Sequence, residues 1–318
     1  LKIHTAACVL LLAGCNTRQS TLATFGVEAR STAQLTLLLW VGAAVIAAGM
    51  VVVFVMAVRA PEGRLDHAGG MRLVLWLGAI VPTVVLAALL IWTLPAMRPL
   101  PTTGTDLRIR VEGEQFWWRV RYTDPSGGSL VSANEVRVPV GRTVVFELGA
   151  TDVIHSFWVP GLAGKMDMIP GRTNRLVVKA EKAGVFRGVC AEFCGLSHAL
   201  MAFDVIAMEP EAFDAWFAAA RTPPRRSQGP GAALFARNGC GACHALGGTA
   251  YAARIGPDLT WLGERRTLGA GTLEPTIANT AAFIRNPQAF KPGARMPAYT
   301  ALSEADARAI ARWLQEGK

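Results

Sequence analysis

Two long stretches without a charged residue constrain this chain more than any other feature. Ala33–Val58 runs for 26 residues and Leu73–Met97 for 25 with no Asp, Glu, Lys or Arg. A helix needs roughly 20 apolar residues to cross the hydrocarbon core of a bilayer. Both stretches are therefore expected to span a lipid membrane as a helical hairpin. The segment between them carries Arg59, Arg64 and Arg72 against Glu62 and Asp66. Short loops rich in Arg stay on the cytoplasmic side, so both ends of the chain are expected on the outer side. Pro82 interrupts the second stretch and is expected to kink it. His67, in the loop, has no partner nearby in sequence and reads as solvated.

Composition supports a membrane protein. Charged residues make up 17% of the chain and hydrophobic ones 52%, against about 25% charged in a soluble globular protein. The formal charge of +9 is spread along the chain with no run of Lys and Arg, so nucleic acid is not an expected partner. Residues 1–15 read as a secretion signal of the lipoprotein type. Lys2 opens it, Ala6–Ala13 is apolar, and Leu12-Ala13-Gly14-Cys15 forms a lipidation box. This places Cys15 on the outer side, in agreement with the loop charges.

From Asp106 onward the pattern changes. Leu107, Ile109 and Val111 alternate, as do Val136, Val138 and Val140, and 143–148, 175–180 and 202–208 are further β-rich runs. Turn signals at 125–128, Gly141, 160–161 and 170–171 separate them. Short strands at this spacing predict an antiparallel β-sandwich or barrel over 104–210.

Within it, Cys190, Cys194, His198 and Met201 fall in twelve residues, just before a predicted strand. Soft sulfur ligands with imidazole select copper or zinc, and the thioether weighs toward copper. His155 is the one other histidine of this region and sits near the end of an expected strand. Two alternatives remain open on residue types alone: a Cys190–Cys194 disulfide, and a mononuclear blue-copper site.

The run Cys190-x-Glu192-x-Cys194-x-x-x-His198-x-x-Met201 resembles the dinuclear copper (CuA) motif of the cytochrome c oxidase subunit II family. The likeness extends over residues 30–210. Gln115-Phe116-Trp117-Trp118 is similar to the family's aromatic electron-input cluster, and Lys165–Arg172 to its loop near the copper. The resemblance implies a cupredoxin-like sandwich in which Cys190 and Cys194 bridge two copper ions. His155 and Met201 would complete one ion; His198 and the backbone carbonyl of Glu192 would complete the other. The Glu192 side chain would reach a magnesium ion at the junction with the catalytic subunit. The family usually has Trp where Phe116 stands, which leaves Trp117 or Trp118 to carry the electron; Trp118 is the candidate. The family also commonly has a Glu near position 75, where this chain has Leu75, and no carboxylate lies between Asp66 and Asp106.

Residues 211–230 begin as a short helix and continue as a Pro- and Arg-rich stretch, read as a solvated tether. Cys240-Gly-Ala-Cys243-His244 is a c-type haem attachment sequence. Its thiols would add to the haem vinyl groups and His244 would ligate the iron. Ile255–Leu259 resembles the haem-edge loop of class I cytochromes c, and Met296 offers the second axial ligand. Residues 231–318 are therefore expected to form a small all-α cytochrome c domain. They hold ten basic and six acidic residues, an excess that would repel a basic donor if it lies on the docking face.

A membrane hairpin (30–103, spans about 33–58 and 73–97), a sandwich, a linker and a cytochrome domain together resemble the cytochrome c-fused branch of bacterial haem–copper oxidases. The resemblance implies a bacterial inner-membrane subunit with both C-terminal domains on the periplasmic side. Its partners would be oxidase subunit I, subunit III and an electron-donating cytochrome or bc complex. Electrons would pass from haem c to CuA and on to subunit I, where dioxygen becomes water. The rivals are the corresponding subunit of a CuA-containing nitric oxide reductase and a membrane-anchored copper-delivery protein, which would need no haem.

Overall fold

The computed structural model describes residues 17–61, 63, 66–123 and 129–316. The signal reading with Cys15, the loop residues Glu62 and Arg64, and the turn at 125–128 lie outside the described residues. The chain divides into two units, residues 30–100 and the rest.

The first unit is the hairpin. Helix α1 (Val27–Arg59) carries the first apolar stretch. Helix α2 (His67–Leu75) begins at Asp66, whose carboxylate accepts from the Gly69 amide and satisfies one of the orphan donors of the first turn. One π turn, Trp76–Ile80, leads into α3 (Val81–Thr93), with Pro82 in its first turn. The proline has no N–H to give, and the irregular turn sits just before it. Leu37, Phe54, Leu86 and Ile91 are among many exposed large apolar side chains on these helices. An apolar surface of that extent is suited to lipid, not water. His67 is exposed.

The second unit contains a β-sandwich. Its strands are β1 (Leu107–Glu114), β2 (Trp117–Thr123), β3 (Ser129–Ala133), β4 (Glu135–Pro139), β5 (Thr143–Ala150), β6 (His155–Trp158), β7 (Met166–Met168), β8 (Asn174–Lys179), β9 (Gly184–Cys190) and β10 (Ala202–Met208). One sheet runs β3-β2-β1-β5-β8 and the other β4-β10-β9-β6-β7. Alternate residues point inward, so Ile109, Val111, Val120, Phe146 and Val205 are fully buried between the sheets. Trp118, Phe157 and Phe203 fill the centre, with ring centroids 4.7–4.9 Å apart for the pairs that Phe203 makes.

The sandwich is not antiparallel throughout. β1 pairs with β5 in parallel (Ile109 opposite Phe146), and β4 pairs with β10 in parallel (Val136 opposite Val205). The chain between each such pair crosses to the other sheet and returns, which permits the parallel alignment.

Helix α4 (Pro210–Ala220) follows β10 and buries Phe213 and Phe217 in the sandwich core. The last part is helical: α5 (Pro230–Arg237), α6 (Ile277–Arg285), the short α7 (Pro287–Phe290) and α8 (Glu304–Gln315). Ser303 caps α8 by accepting from the Asp306 amide, as its Ser-x-x-Asp start predicts. α8 lays Ile310, Trp313 and Leu314 against Phe235 of α5. Gly231 makes that crossing possible, because a Cβ there would sit 2.5 Å from the Ala309 carbonyl.

The expected solvated tether is corrected by the contacts of Pro223 to Ser227. The Arg226 guanidinium donates to the carbonyls of Thr260, Trp313 and Leu314 at 2.6–3.0 Å. Trp313 Nε1 donates back to Ser227 O at 2.8 Å. A planar fork of five donors finds acceptors that composition alone does not announce.

Candidate metal centres

Among the described residues, His155, Cys190 and Cys194 bring their ligand atoms within 4.8 Å of one another, and all three are buried. Their positions follow from the fold. His155 opens β6, rather than ending a strand as the sequence suggested, and Cys190 closes β9. β6 and β9 are hydrogen-bonded neighbours, with Phe157 opposite Cys190. The loop from β9 to β10 then carries Glu192, Cys194, His198 and Met201 back over the same end of the sheet.

The two sulfurs are 3.8 Å apart. A disulfide needs about 2.05 Å, so both cysteines are free thiols here. His155 Nδ1 lies 3.8 Å from Cys190 Sγ, and His198 Nδ1 lies 3.7 Å from Cys194 Sγ. Met201 Sδ is 3.8 Å from Cys194 Sγ. The Glu192 backbone carbonyl accepts from Cys190 at 3.2 Å, while its carboxylate pairs with Lys165 at 3.2 Å on the exposed side. All six residues singled out in the sequence thus gather around the two sulfurs, Glu192 through its backbone carbonyl. Two thiols, two imidazoles, a thioether and a carbonyl form a soft donor set suited to copper.

Electrostatics poise one thiol, Cys190, for a metal, while the hydrogen bond with Cys190 raises the Cys194 thiol. Hydrogen bonding from Cys194 holds the Cys190 thiol far below its ordinary value, with further help from His155. The thiolate is the form that binds metal. Burial alone would lower the His155 pKa, but the hydrogen bonds to Cys190 and Asp152 outweigh it and the value is raised. His155 Nε2–H donates to Asp152 Oδ1 at 2.9 Å. That bond fixes the tautomer and leaves Nδ1 turned toward the sulfurs. Asp152 was not identified from sequence; its place three residues before His155 was the available signal. Gln115, read from sequence only as part of the aromatic cluster, donates from Nε2 to the Cys194 carbonyl at 2.6 Å.

A second cavity is lined by Cys240, Cys243, His244 and Met296, four residues 56 positions apart at their extremes that share one wall-to-wall space. His244 Nδ1–H donates to the Pro257 carbonyl at 2.7 Å, which leaves Nε2 for a metal. Burial lowers the His244 pKa and so favours the neutral ring that ligation requires. Gly256 flanks the imidazole so closely that a Cβ would lie 2.5 Å from His244 Cε1. Arg265, also on the cavity wall, has a buried Nε without a hydrogen-bond partner. An apolar cavity with paired thiols, a neutral imidazole, a thioether and an orphaned cationic donor fits a haem with its acidic substituents.

The two sites adjoin. Gln115, Phe116 and Trp117 line this second cavity, while Trp118 faces the other way, its ring centroid 6.3 Å from that of His155. Successive residues of a strand point to opposite faces, so the two Trp side chains address the two sites. Arg295, next to Met296, donates to Asp152 Oδ2 at 2.9 Å. One carboxylate therefore joins the residue beside Met296 to His155.

Comparison with known proteins identifies relatives of both parts of the second unit. Residues 126–208 match the family described as "Cytochrome C oxidase subunit II, periplasmic domain", and residues 229–318 match "Cytochrome c". Cytochrome c oxidase subunit 2 of Alkalihalophilus pseudofirmus is 42% identical over 250 residues, covering 75% of this chain and 71% of the relative. That of Bacillus subtilis is 32% identical over 250 residues, covering 74% and 69%. Among solved structures, the periplasmic domain of subunit II of cytochrome oxidase from Bradyrhizobium japonicum is 33% identical, covers 38% of this chain and 97% of its own, and has a TM-score of 0.35.

Fold and sites together define a membrane-anchored redox protein that joins a copper-type sandwich to a cytochrome c domain in one chain. The chain belongs to the cytochrome c oxidase subunit II family and serves that oxidase as a subunit.

Proposed function

We propose that this chain is the electron-input subunit of a bacterial oxidase, with residues 104–210 as a CuA domain and 231–318 as a class I cytochrome c domain. When bound, haem c and dinuclear copper supply the one-electron chemistry that carries electrons from a donor to subunit I, where dioxygen is reduced to water. Cys190, Cys194, His155, His198, Met201 and the Glu192 carbonyl would hold the copper, with both thiolates shared. Cys240 and Cys243 would anchor the haem, and His244 and Met296 would ligate its iron. The Glu192 carboxylate, beside Lys165, is assigned to a magnesium ion at the subunit I junction.

The observation that carries this reading is the shared carboxylate: Asp152 accepts from His155 of one site and from Arg295, beside Met296 of the other. The protein's own contribution is rigidity. Asp152 holds the His155 ring, Gln115 holds the Cys194 carbonyl, and the sandwich core excludes water beneath both. Ligands fixed in advance move little when charge changes. Trp118, beneath His155, is assigned to the copper side and Trp117 to the haem side. Subunits I and III and an acidic or membrane-bound donor cytochrome, or a bc complex, are the partners this reading requires. The location is the bacterial inner membrane, with both metal domains in the periplasm.

The test is optical and EPR spectroscopy on the full chain in detergent, matured with haem and loaded with copper. A c-type haem band together with one unpaired electron shared equally by two coppers is expected. A haem band with a single-copper signal, or with none, would overturn the dinuclear assignment.

A further inference from the structure

Lys291 follows α7 and is 4% exposed. No carboxylate pairs with it among the described residues. Its Nζ donates instead to two carbonyls, Gly269 O at 2.7 Å and Leu200 O at 2.9 Å. Gly269 belongs to the haem-site domain. Leu200 belongs to the sandwich and lies between His198 and Met201. Burial pulls the ammonium down to about 7, from an ordinary value of about 10.4. Seating an unpaired lysine in an interior is unfavourable, and an apolar side chain of the same reach would fill the space more easily. What the lysine adds is two directed donors that tie carbonyls of two domains together.

The surrounding bonds act on the same loop. Ala202 N–H donates to Ala270 O at 3.0 Å, and Ser197 Oγ donates to Pro292 O at 2.6 Å. Thr272 Oγ1 reaches Leu200 O at 3.4 Å. Loop 197–202, with two of the six copper donors, is therefore held from outside by the backbone of the haem-site domain. Lys291 reaches both backbones within 2.9 Å; Thr272 Oγ1 also reaches both, at 2.7 Å from Gly269 O and 3.4 Å from Leu200 O.

We propose that Lys291 is a positioning residue that presets the copper-side loop 197–202 by clasping Leu200 O to Gly269 O. Its consequence for electron transfer rests on the copper and haem assignments above; the clasp itself does not. The test is Lys291→Met in the full, haem-matured chain with copper removed. Amide hydrogen exchange of the 196–202 segment is read by mass spectrometry. Exchange at Leu200 to Ala202 is expected to rise about tenfold, which corresponds to about 1.4 kcal/mol, while the melting temperature is held or raised. A space-filling role predicts unchanged exchange, since Met fills the same volume, and that result would overturn the proposal. Should Lys291→Met not yield folded protein, Lys291→Gln is read in the same way. It keeps a donor but is one bond too short to reach both carbonyls, so increased exchange supports the clasp and unchanged exchange refutes it. After copper loading, flash-induced haem-to-copper electron transfer should slow about tenfold and the copper hyperfine pattern should change. Absence of the dinuclear signal in the unaltered chain would sink the functional reading and leave the exchange result standing. Unchanged exchange would do the reverse.

Discussion

Replacing Asp152 by Asn isolates the orientation of His155. The carboxylate is 10% exposed and takes four donors. Oδ1 accepts from Val153 N at 2.8 Å and from His155 Nε2 at 2.9 Å. Oδ2 accepts from Gln115 N at 2.8 Å and from Arg295 Nη2 at 2.9 Å. Asn has nearly the same shape but a single acceptor oxygen. Whichever way the amide turns, its NH2 faces two N–H donors. Losing hydrogen bonds to a charged group costs about 1.5–3 kcal/mol. The Arg295 share is under about 1 kcal/mol, because that guanidinium is 61% exposed. A total near 3 kcal/mol corresponds to a fall of about 6–12 °C in melting temperature for a unit of this size. Losing the partner of a metal-ligating His lowers metal affinity about 10–100-fold. Calorimetry and competitive chelator titration of the haem-matured chain measure both. The pH dependence has a definite sign. Burial would raise the Asp152 pKa, but the hydrogen bonds from Gln115, His155 and Val153 outweigh it and lower the value. The stabilisation is then complete above about pH 4, the unfolded value, and is lost as pH falls through the lower folded one. The gap between the parent chain and the Asp152→Asn variant should persist from neutral pH to about pH 4 and close below it. Copper affinity within twofold of the parent, whatever happens to the melting temperature, would refute the claim that Asp152 holds His155.

Three further substitutions address the same sites. Gly113→Ala places a Cβ 2.8 Å from His155 Cγ and Cδ2; it should cost about 1–3 kcal/mol by overpacking and alter the copper EPR, and an unaltered spectrum would show that the ring can yield. Met296→Ala should lower the haem potential in a redox titration while the covalent haem band persists; an unchanged potential removes Met296 from the axial position. Cys194→Ser should abolish the delocalised copper signal and leave the haem band intact; survival of that signal rules out two bridging thiolates.

Sequence pattern revealed β1 and β4 because their inward residues alternate with polar ones, and β5, β8 and β10 because they are runs of β-forming residues. β9 escaped because Gly188 interrupts its inward face; the Phe203 ring occupies the place of a Cβ there, at 2.1 Å. β6 has four residues and β7 three, too short for any period to register. The parallel pairings are contacts between strands far apart in the chain, which local alternation does not encode. The proposed copper donors could be singled out because five of them lie within twelve residues, and His155 because it is the one other histidine of that region. Asp152, Arg295 and Lys291 were not. Arg295 meets Asp152 across 143 residues and Lys291 meets Leu200 across 91, and each is an ordinary polar residue until the fold brings it to its partner. The linker was misread for the same reason: Pro and Arg signal a solvated segment only when no acceptors wait for the guanidinium.

That packed linker changes how the two metal domains move. α4 is anchored in the sandwich by Phe213 and Phe217, and Pro223 already lies against Gly247 of the haem-site domain, at contact distance from where a Cβ would stand. Only Arg221 and Thr222 separate the two anchorages, and two residues span at most about 7 Å. So short a spacer leaves the cytochrome domain little arc to sweep, and the pair is expected to tumble with one rotational correlation time. On the proposed function, a donor that docks on the cytochrome domain meets the silhouette of both domains together, so the sandwich would shape which donors succeed.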